Sequence, residues 1–599
     1  MTMQIYKKEF KPYLVLSICL ALLFAVTGNF WAHLPGDSFY EQVNFFFAES
    51  MLDYMLVNNH WLTLFYPSLL GLYLSFIGLG IGLLFYTYNN DSRYYRPNEE
   101  YGSARFAKKE EMARYADEIP EYNTILSKVA RMGLFNDRIT RAFQRNKNLM
   151  IIGDPGSGKT FNVLKPNILQ TNASFLITDP KGLLIRECGA FLEKMGYKIK
   201  VFDLNTLLNS DHFNVFKYIK TELDIDKVLE WITEGTKKTD NQGEDFWIKA
   251  EGLLIRSFLA FLWIDGQDND YLPHIGMVAD MLRFVKRREK NKPSPVEEWF
   301  EEQNERHPNN YAYRQWTLFN DLYEAETRAS VLGIAAARYS VFDHSQVVDL
   351  VRNDTMDIES WNEEKTAIFV TIPETTDSYN FLAAIFISTA MEVLRDKVDK
   401  VLTGEIAYRQ LLHFRFWIDE FANIGRIPNI DKALASFRSR NMSIAIFLQA
   451  LDQLKTMYKY GWASMANLCA TVIFLGGDEE ATVKYLSERI GSQTIGTRKY
   501  SHNKGRQGGG SENRDYTGRK LLFPDEIGRL NGDECLVFIT KEFVFKDEKY
   551  PVFDHPNAQY LANKPTDENW YRYKRYKDDV EEFLDKAVMV DHGEIPENI

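Results

Sequence analysis

The chain has 599 residues, 45% of them hydrophobic and 14% aromatic, and carries a net charge of −12. A chain of this length can form about two to four domains, and its acidic balance disfavours a basic protein that coats nucleic acid with its whole surface. The four cysteines are scattered without a CxxC pair and no HExxH motif occurs, which argues against disulfides, structural zinc and a zinc protease.

Two long uncharged segments near the N-terminus predict a membrane anchor. Residues 12–36 and 61–90 contain no Asp, Glu, Lys or Arg, and each exceeds the ~20 residues that a helix needs to cross a bilayer. We predict transmembrane helices over about residues 12–34 and 61–88, with residues 35–60 between them. Four glycines of the second segment predict a thin surface for close helix packing: Gly71, Gly78, Gly80 and Gly82.

The charges that flank these segments predict their orientation in the membrane. Lysines precede the first segment, basic residues follow the second, and the loop between them carries acids but no Lys or Arg. By the positive-inside rule, both termini are predicted to be cytoplasmic and residues 35–60 extracytoplasmic. A cleaved signal peptide is the alternative for the first segment, but no small-residue cleavage site is evident.

Beyond the anchor, short apolar segments alternate with helical patterns. This alternation predicts a largely parallel sheet with helices on both faces. The interval from about Leu223 to Phe342 has several helical patterns and no convincing strand, which predicts an inserted all-helical domain; the charges within its most apolar helix (residues 246–263) exclude a third membrane span. The predicted strands are residues 148–152, 174–178, 198–202, 366–372, 411–418, 443–448, 471–475 and 534–540.

A glycine-rich turn joins the first predicted strand to a helical segment, as in a phosphate-binding loop. Its glycines let backbone N–H groups point at phosphate oxygens, and the helix that follows adds its positive N-terminal end. Lys159 can reach the β- and γ-phosphates of ATP, and the Thr160 hydroxyl can bind Mg²⁺. The residues of the turn are Gly153, Asp154, Pro155, Gly156, Ser157, Gly158, Lys159 and Thr160.

Paired acids end the strand predicted over residues 411–418. At the carboxyl edge of a parallel sheet, where ligand sites gather, Asp419 is expected to hold Mg²⁺ and Glu420 to act as general base for the attacking water. A glutamate directly after the aspartate favours a RecA/AAA+ type of motor over a small signalling GTPase.

A glutamine and an arginine complete the predicted hydrolytic set. Gln449 follows the strand 443–448 and could sense the γ-phosphate; an amide satisfied by the backbone is the alternative. Arg438 and Arg440 lie on a helix predicted over residues 431–440. One such arginine could reach the nucleotide of a neighbouring subunit, which would require an oligomer, or both could lie on a solvated helix face.

Two later segments are predicted from composition. Residues 491–519 are rich in Gly, Ser, Arg and Lys, which predicts a mobile loop; its basic character could meet a phosphate backbone, or the loop could simply be solvated. The tail over residues 557–599 is polar and mostly acidic, with a helix predicted over 576–588, and no chemistry is assigned to it.

Together these segments resemble the coupling-protein ATPases of type IV secretion and conjugation systems (the TraG/TraD type), and within them the Gram-positive branch that includes PcfC. The resemblance runs from the membrane spans to about residue 555. It implies an α/β fold, a RecA-like P-loop NTPase core with an inserted all-α domain, preceded by a two-helix transmembrane anchor. The segments that carry it are residues 101–105, 153–160, 179–182, 419–425, 437–441, Gln449 and residues 519–522.

The resemblance also implies a domain order and a function. The domains are an anchor (1–100), a first core part (101–222), the all-α domain (223–344), a second core part (345–556) and the tail (557–599). The implied function is a homo-hexameric ATPase, held in membrane lipid, that recruits relaxase-bound single-stranded DNA or protein effectors and drives delivery to the secretion channel subunits. The implied hydrolytic residues are Lys159, Thr160, Asp419, Glu420, Arg438 and Gln449; Asp179 and Lys181 match a further family motif.

Two alternative functions remain open. An FtsK-like double-stranded DNA translocase would want more membrane spans and a C-terminal winged-helix module, and neither is visible. A docking receptor whose nucleotide site only drives assembly would not need a positioned base, so the intact Glu420 argues against it.

Overall fold

The computed structural model describes residues 10–48, 50–89, 99–236, 245–287, 292–373, 379–502 and 510–573. The chain divides into two compact units, Met1–Ser103 with Ser492–Arg519, and Ala104–Gly491 with Lys520–Ile599. The helix predicted over residues 576–588 lies outside the described residues.

The first unit contains two helices that are long and apolar enough to cross a membrane, α1 and α4. The second of them begins at Leu69 rather than at residue 61 as predicted. Tyr66 is extended, as the residue before a proline is, and the Ser68 hydroxyl accepts the N–H of Gly71 at 2.9 Å to cap the new helix. The helices of this unit are α1 (Phe10–Ala32), α2 (Phe39–Phe46), α3 (Ser50–Leu56) and α4 (Leu69–Asn89).

Glycines bring α1 and α4 into close contact. Gly71, Gly78 and Gly82 are buried, and a Cβ atom at Gly78 would lie 2.6 Å from the carbonyl oxygen of Leu20. The prediction that Gly80 shares this surface is wrong, because nothing lies within 4 Å of the position of its Cβ. At 3.6 residues per turn, Gly80 lies on the opposite face of α4 from the other three.

Replacing Gly78 with leucine is therefore expected to separate α1 from α4 and to lower the stability of the packed helix pair by about 1–3 kcal/mol or more. Gly80→Leu is the matched control, since it places the same side chain on the open face of the same helix. The measurement is the fraction of the full chain that stays monodisperse in size-exclusion chromatography after heating in mild detergent. Equal losses for both variants, or no loss for either, would contradict the close packing.

The second unit is built on a nine-stranded sheet in the order β13-β12-β9-β3-β8-β7-β4-β6-β5. Apart from β12 and β13, its strands are parallel, and every predicted strand is present. The strands of the chain are β1 (Asn123–Ile125), β2 (Arg131–Gly133), β3 (Leu149–Ile152), β4 (Ser174–Thr178), β5 (Lys198–Asp203), β6 (Thr366–Thr371), β7 (Phe414–Ile418), β8 (Met442–Leu448), β9 (Thr471–Phe474), β10 (Ser492–His502), β11 (Gly510–Lys520), β12 (Glu534–Ile539) and β13 (Phe545–Glu548).

Helices cover both faces of this sheet, which explains its continuous apolar strands. In β3, Met150 and Ile152 enter one hydrophobic cluster, whereas Leu149 and Ile151 enter the other. The helices of this unit are α5 (Lys109–Ala113), α6 (Lys165–Leu169), α7 (Leu184–Lys194), α8 (Glu222–Gly235), α9 (Asp245–Asp268), α10 (Gly276–Phe284), α11 (Pro295–Arg306), α12 (Tyr311–Leu322), α13 (Ala325–Tyr339), α14 (Ser345–Arg352), α15 (Asn380–Thr403), α16 (Ile430–Ser436), α17 (Leu451–Met457), α18 (Trp462–Leu468), α19 (Glu480–Ile490) and α20 (Pro524–Gly528).

Between β5 and β6 the described residues form helices and no strand, from α8 to α14. The most apolar of them, α9, contacts α8, α10, α11, α12 and α13. Phe258 of α9 is fully buried, and the rings of Phe300 and Trp316 stack at 4.8 Å beside it. This part of the chain is thus a helical bundle around α9, which we call the helical region.

The segment 491–519 differs most from expectation. Its described residues form the paired strands β10 and β11, so the prediction of a mobile loop is wrong for them; residues 503–509 lie outside the described residues. Thr494 donates its N–H to the Gly102 carbonyl at 3.1 Å, and Ser103 forms an isolated antiparallel β-bridge with Gln493. Pairing within the hairpin and with residues 102–103 satisfies the backbone and compensates for the low strand propensity of the polar and glycine-rich sequence.

Candidate nucleotide site

The predicted phosphate-binding loop lies at the carboxyl end of β3, between β8 and β9. The Lys159 ammonium points back into the loop, where it donates to the carbonyl oxygens of Gly153 at 2.6 Å and Asp154 at 3.3 Å. Burial lowers the pKa of Lys159, and Asp419 and Glu420 partly oppose this effect. The lysine is therefore held where a nucleotide phosphate in the loop would meet its charge.

The backbone of the loop forms a cradle that fits a phosphate group. Gly156 and Gly158 have φ angles of 82° and 86°, which favour glycine. A Cβ at Gly158 would also lie 2.1 Å from the side-chain amide nitrogen of Asn162. Among the described residues, the buried Ser157 Oγ has no hydrogen-bond partner. A phosphate oxygen would satisfy this hydroxyl, so the residues present fit the group.

Thr160 and Asp419 meet at the point where Mg²⁺ was predicted. The Thr160 hydroxyl donates to Asp419 Oδ2 at 3.1 Å, and the Asp419 carbonyl accepts the Thr178 hydroxyl at 2.6 Å. Burial raises the pKa of Asp419, against the effect of its hydrogen bond from Thr160. In the described residues no group of three His, Cys, Asp or Glu could hold a metal ion. A hydroxyl and one carboxylate suit Mg²⁺, which takes few protein ligands and completes its shell with phosphates and water.

Glu420 follows in a left-handed backbone conformation, with φ 48° and ψ 53°. Such a conformation is strained in a residue with a side chain and is concentrated at functional sites. Its Oε2 accepts a hydrogen bond from the Asn423 side chain at 2.7 Å, and its N–H donates to Asp419 Oδ1 at 3.0 Å. The carboxylate next to the magnesium position is therefore fixed by both backbone and side-chain contacts.

Gln449 reaches the same edge of the sheet, because β8 lies between β3 and β7. Ile152 of β3 is in register with Leu448, and Ile418 of β7 with Ile446. The Gln449 N–H donates to Gln453 Oε1 at 2.9 Å. The structure thus brings the loop, the two acids and Gln449 together at the ends of three neighbouring strands.

Asp179 and Lys181 also lie at this edge, after β4. Burial raises the pKa of Asp179 to about 6, and its carboxylate accepts the N–H groups of Leu183 at 3.2 Å and Ile185 at 3.3 Å. Asp179 therefore holds the turn that leads into α7, while Lys181 is exposed.

Arg438 does not join the site of its own chain. It lies in a 3₁₀ turn, Phe437–Arg440, that replaces the end of the predicted helix and precedes β8, so the length of the strand, roughly 20 Å, separates it from Gln449. Arg440 pairs with Asp399 at 2.8 Å and 3.0 Å. Within the described part of the chain the exposed guanidinium of Arg438 has no ion-pair partner.

Sequence reasoning did not predict a second cation near Arg438, at the amino-terminal ends of the strands. Lys147 precedes β3, is 6% exposed, and lines a cavity of about 700 Å³ together with Arg438 and His413. Burial, followed by the charges of Arg415, Arg438 and Arg145, lowers its pKa to about 7. The sequence pattern, a lysine before an apolar strand, does not indicate that the lysine is buried, since its burial arises from packing across the sheet.

Residues beyond β9 also contact the phosphate-binding loop and were not predicted. The Gly476 carbonyl accepts the Asp154 N–H at 3.0 Å, and a Cβ at Gly477 would lie 2.6 Å from the Asp154 carboxylate. The double glycine directly after a strand could have indicated this close approach. Lys549 donates to the Ser157 carbonyl at 2.9 Å, and no local pattern points to it.

The sequence of the chain is also similar to that of known proteins. A family model described as "Type IV secretory system Conjugative DNA transfer" matches residues 105–575, beyond the end near residue 555 that the motifs indicated. Conjugal transfer protein TraG of Rhizobium radiobacter is 21% identical over 400 residues, covering 65% of this chain and 60% of TraG. Protein VirD4 of Agrobacterium fabrum is 22% identical over 465 residues, covering 74% of this chain and 64% of VirD4.

The chain therefore spans less than two thirds of the length of either curated relative. Among solved structures, the unbound bacterial conjugative coupling protein TrwBΔN70 matches with a TM-score of 0.55 and 16% identity, over 76% of this chain and 95% of TrwB. TrwB in complex with ADP and Mg²⁺ matches with a TM-score of 0.52 and 14% identity, over 81% and 98%. These matches confirm the predicted fold; the assignment to a Gram-positive branch stays a prediction.

Proposed function

The chain belongs to the family of type IV secretory system conjugative DNA transfer proteins, and on this premise we propose that it is a membrane-anchored ATPase that couples ATP hydrolysis to DNA transfer. Its substrate is single-stranded DNA bound to a relaxase, or a protein effector, and it delivers this substrate to the channel subunits of a secretion system. The observation that carries the proposal is the contact between Thr160 of the phosphate-binding loop and Asp419, directly beside Glu420.

The residues of the site have separate tasks in hydrolysis. Lys159 holds the β- and γ-phosphates from within the loop, and Thr160 and Asp419 would hold Mg²⁺. Bound Mg²⁺ supplies charge neutralisation for the transferring phosphoryl group. Glu420 orients the attacking water and accepts its proton, and Gln449 hydrogen-bonds the γ-phosphate.

The solved relatives support the nucleotide and the metal ion. TrwB has been solved with ADP and Mg²⁺, with the ATP analogue ADPNP, and with the GTP analogue GDPNP. Their coordinates match this chain in fold, and the cradle of residues 153–160 fits a phosphate by its own geometry. We take ATP as the nucleotide of this chain.

The position of Arg438 supports an oligomer. It lies at the amino-terminal ends of the strands, beside Lys147, whereas the nucleotide site of its own chain lies at their carboxyl ends. Arg440 is paired with Asp399. A ring with head-to-tail interfaces brings different surfaces of neighbouring subunits together, so the end of the sheet that carries Arg438 in one subunit can face the nucleotide of the next. We infer that Arg438 stabilises transition-state charge on the neighbouring subunit's ATP, and that the ring is a homo-hexamer.

The domain order extends the proposal to the whole chain. Residues 1–100 form a two-span anchor in membrane lipid, with both termini in the cytoplasm and residues 35–60 outside it. Residues 101–222 and 345–556 form the motor, residues 223–344 form an all-α domain that recognises the substrate, and residues 557–599 form the tail. The two apolar helices α1 and α4 support the anchor.

Single-stranded DNA is expected to stimulate ATP hydrolysis by the purified full chain in detergent. A DNA-transfer motor is expected to bind DNA through its phosphates. The stimulation should therefore be the same for unrelated base sequences and should fall steeply between about 50 and 200 mM salt. The measurement is phosphate release with and without DNA, and Lys159→Ala is the inactive control. Hydrolysis that ignores DNA, or that depends on base sequence, would contradict a DNA-transfer motor.

A further inference from the structure

The segment that follows the proposed catalytic base, Phe421 to Asn429, connects that base to the helical region. We call it the 421–429 segment. Its first contact is with Glu420 itself: the Asn423 side chain donates to Glu420 Oε2 at 2.7 Å, and the Asn423 N–H donates to the Glu420 carbonyl at 2.8 Å. One carboxylate oxygen of the base is thus oriented by an amide three residues further along the chain.

Asn423 is itself fixed from outside the segment. Its backbone carbonyl accepts a hydrogen bond from the side chain of Asn380, the first residue of α15, at 2.6 Å. Phe421 is fully buried and stacks on Tyr458 at 5.9 Å, and the Tyr458 hydroxyl accepts the Ile427 N–H at 2.8 Å. The backbone that carries the Asn423 side chain is therefore held by contacts from outside the segment.

The far end of the segment is held by α8, the first helix of the helical region. Asn429 donates to Glu230 Oε1 at 2.7 Å, and Arg426 lies 3.5 Å from Glu234. Gly425 has a φ angle of 86°, and a Cβ there would lie 3.2 Å from the carbonyl oxygen of Gly235. The last turns of α8 thus contact the segment at three points.

We propose that Asn423 is a positioning residue for the Glu420 carboxylate, and that the 421–429 segment transmits the position of α8 to this carboxylate. The inference rests on the proposed function, because Glu420 must be the base of an ATPase. A carboxylate that accepts a hydrogen bond from a fixed amide donor keeps one orientation, and a base must be held in one orientation to meet the attacking water. A movement of α8 displaces Arg426 and Asn429, and through them the amide that orients the base.

Asn423→Ala in the full chain is expected to lower the kcat for ATP hydrolysis about 10- to 100-fold, as removal of an outer-shell partner does, with KM unchanged. Asn423→Asp keeps the shape of the side chain but removes the N–H donor, and should lose as much. Asn423→Gln retains an amide donor and should recover part of the rate. Binding of fluorescent mant-ATP shows that each variant is folded and that the phosphate cradle is intact.

The transmission from α8 has its own variants, which contact neither nucleotide nor base. Glu230→Gln combined with Glu234→Gln leaves an oxygen that can accept from Asn429 but removes both negative charges, which weakens the hold on Asn429 and Arg426. It is expected to lower kcat about 3- to 10-fold at unchanged KM, the size of a moderate coupling. Glu222→Gln, an exposed acid at the start of the same helix, is the matched control and should leave kcat unchanged.

The outcomes separate the two proposals. A wild-type chain that binds mant-ATP and hydrolyses none contradicts the proposed function. A wild-type chain that hydrolyses ATP, with Asn423→Ala and Asn423→Asp both at the wild-type kcat, overturns the role of Asn423. If Asn423→Ala fails to fold, Asn423→Asp decides, and a double Glu variant that behaves like Glu222→Gln overturns the transmission from α8.

Discussion

The Glu420→Gln variant of the full chain is expected to hydrolyse ATP about 10²- to 10⁴-fold more slowly than the wild type while still binding ATP and Mg²⁺. A carboxylate can accept a proton from water at neutral pH, whereas an amide of the same shape cannot. The glutamine oxygen can still accept the hydrogen bond that Asn423 donates to Glu420. The substitution therefore removes the base and leaves the geometry in place.

Two further variants make this result specific. Lys159→Ala removes the charge that lies within the loop, so it should lose ATP affinity as well as turnover. Glu488→Gln, an exposed acid on α19, is the matched control and should behave as the wild type. The measurements are phosphate release and mant-ATP binding. Turnover by Glu420→Gln at the wild-type rate would remove Glu420 from the chemistry, although the loop would still bind nucleotide.

The sheet could be predicted because its strands are buried on both faces. Such strands appear in the sequence as continuous apolar runs, and β4 has the residues that were predicted, Ser174–Thr178. β7 begins at Phe414 rather than at residue 411, because an apolar run does not show where pairing begins. The hairpin β10–β11 could not be predicted, because its strands are polar and contain glycine, residues that favour turns and loops over strands.

The site could be predicted as far as its residues lie in local motifs. The loop, Asp419, Glu420 and Gln449 each follow a strand directly, and a parallel sheet brings the ends of its strands together. Lys549 and Ser157 are 392 residues apart in the chain, and only the folded structure brings them into contact. The same is true of the contact between Asn429 and Glu230, 199 residues apart, on which the coupling to α8 depends.

Arg438→Ala is expected to lower the kcat for ATP hydrolysis about 10³-fold or more, the loss seen when an arginine finger is removed. Arg438 lies before β8 and Gln449 lies after it, so we expect the effect to come from a neighbouring subunit. Arg440→Ala is the matched control: it is two residues away, but its guanidinium is bound by Asp399 at 2.8 Å within the same chain. We expect Arg440→Ala to retain most of the activity.

Mixing variants distinguishes action across a subunit boundary from action within one chain. Lys159→Ala subunits have an intact Arg438 and no working loop, whereas Arg438→Ala subunits have the reverse. Each alone is expected to be inactive, but in rings assembled from equal amounts of both, roughly a quarter of the interfaces join an intact loop to an intact arginine. Hydrolysis should therefore return to a measurable fraction of the wild-type rate.

The mixture needs proof that the subunits share rings, which co-purification through different affinity tags on the two variants provides. If mixed rings form and no activity returns, Arg438 acts within its own chain or has only a structural role, and the ring argument from its position fails. If activity returns, the nucleotide site is completed by the next subunit. Hydrolysis then depends on assembly, since a single chain places its loop and Arg438 at opposite edges of one sheet.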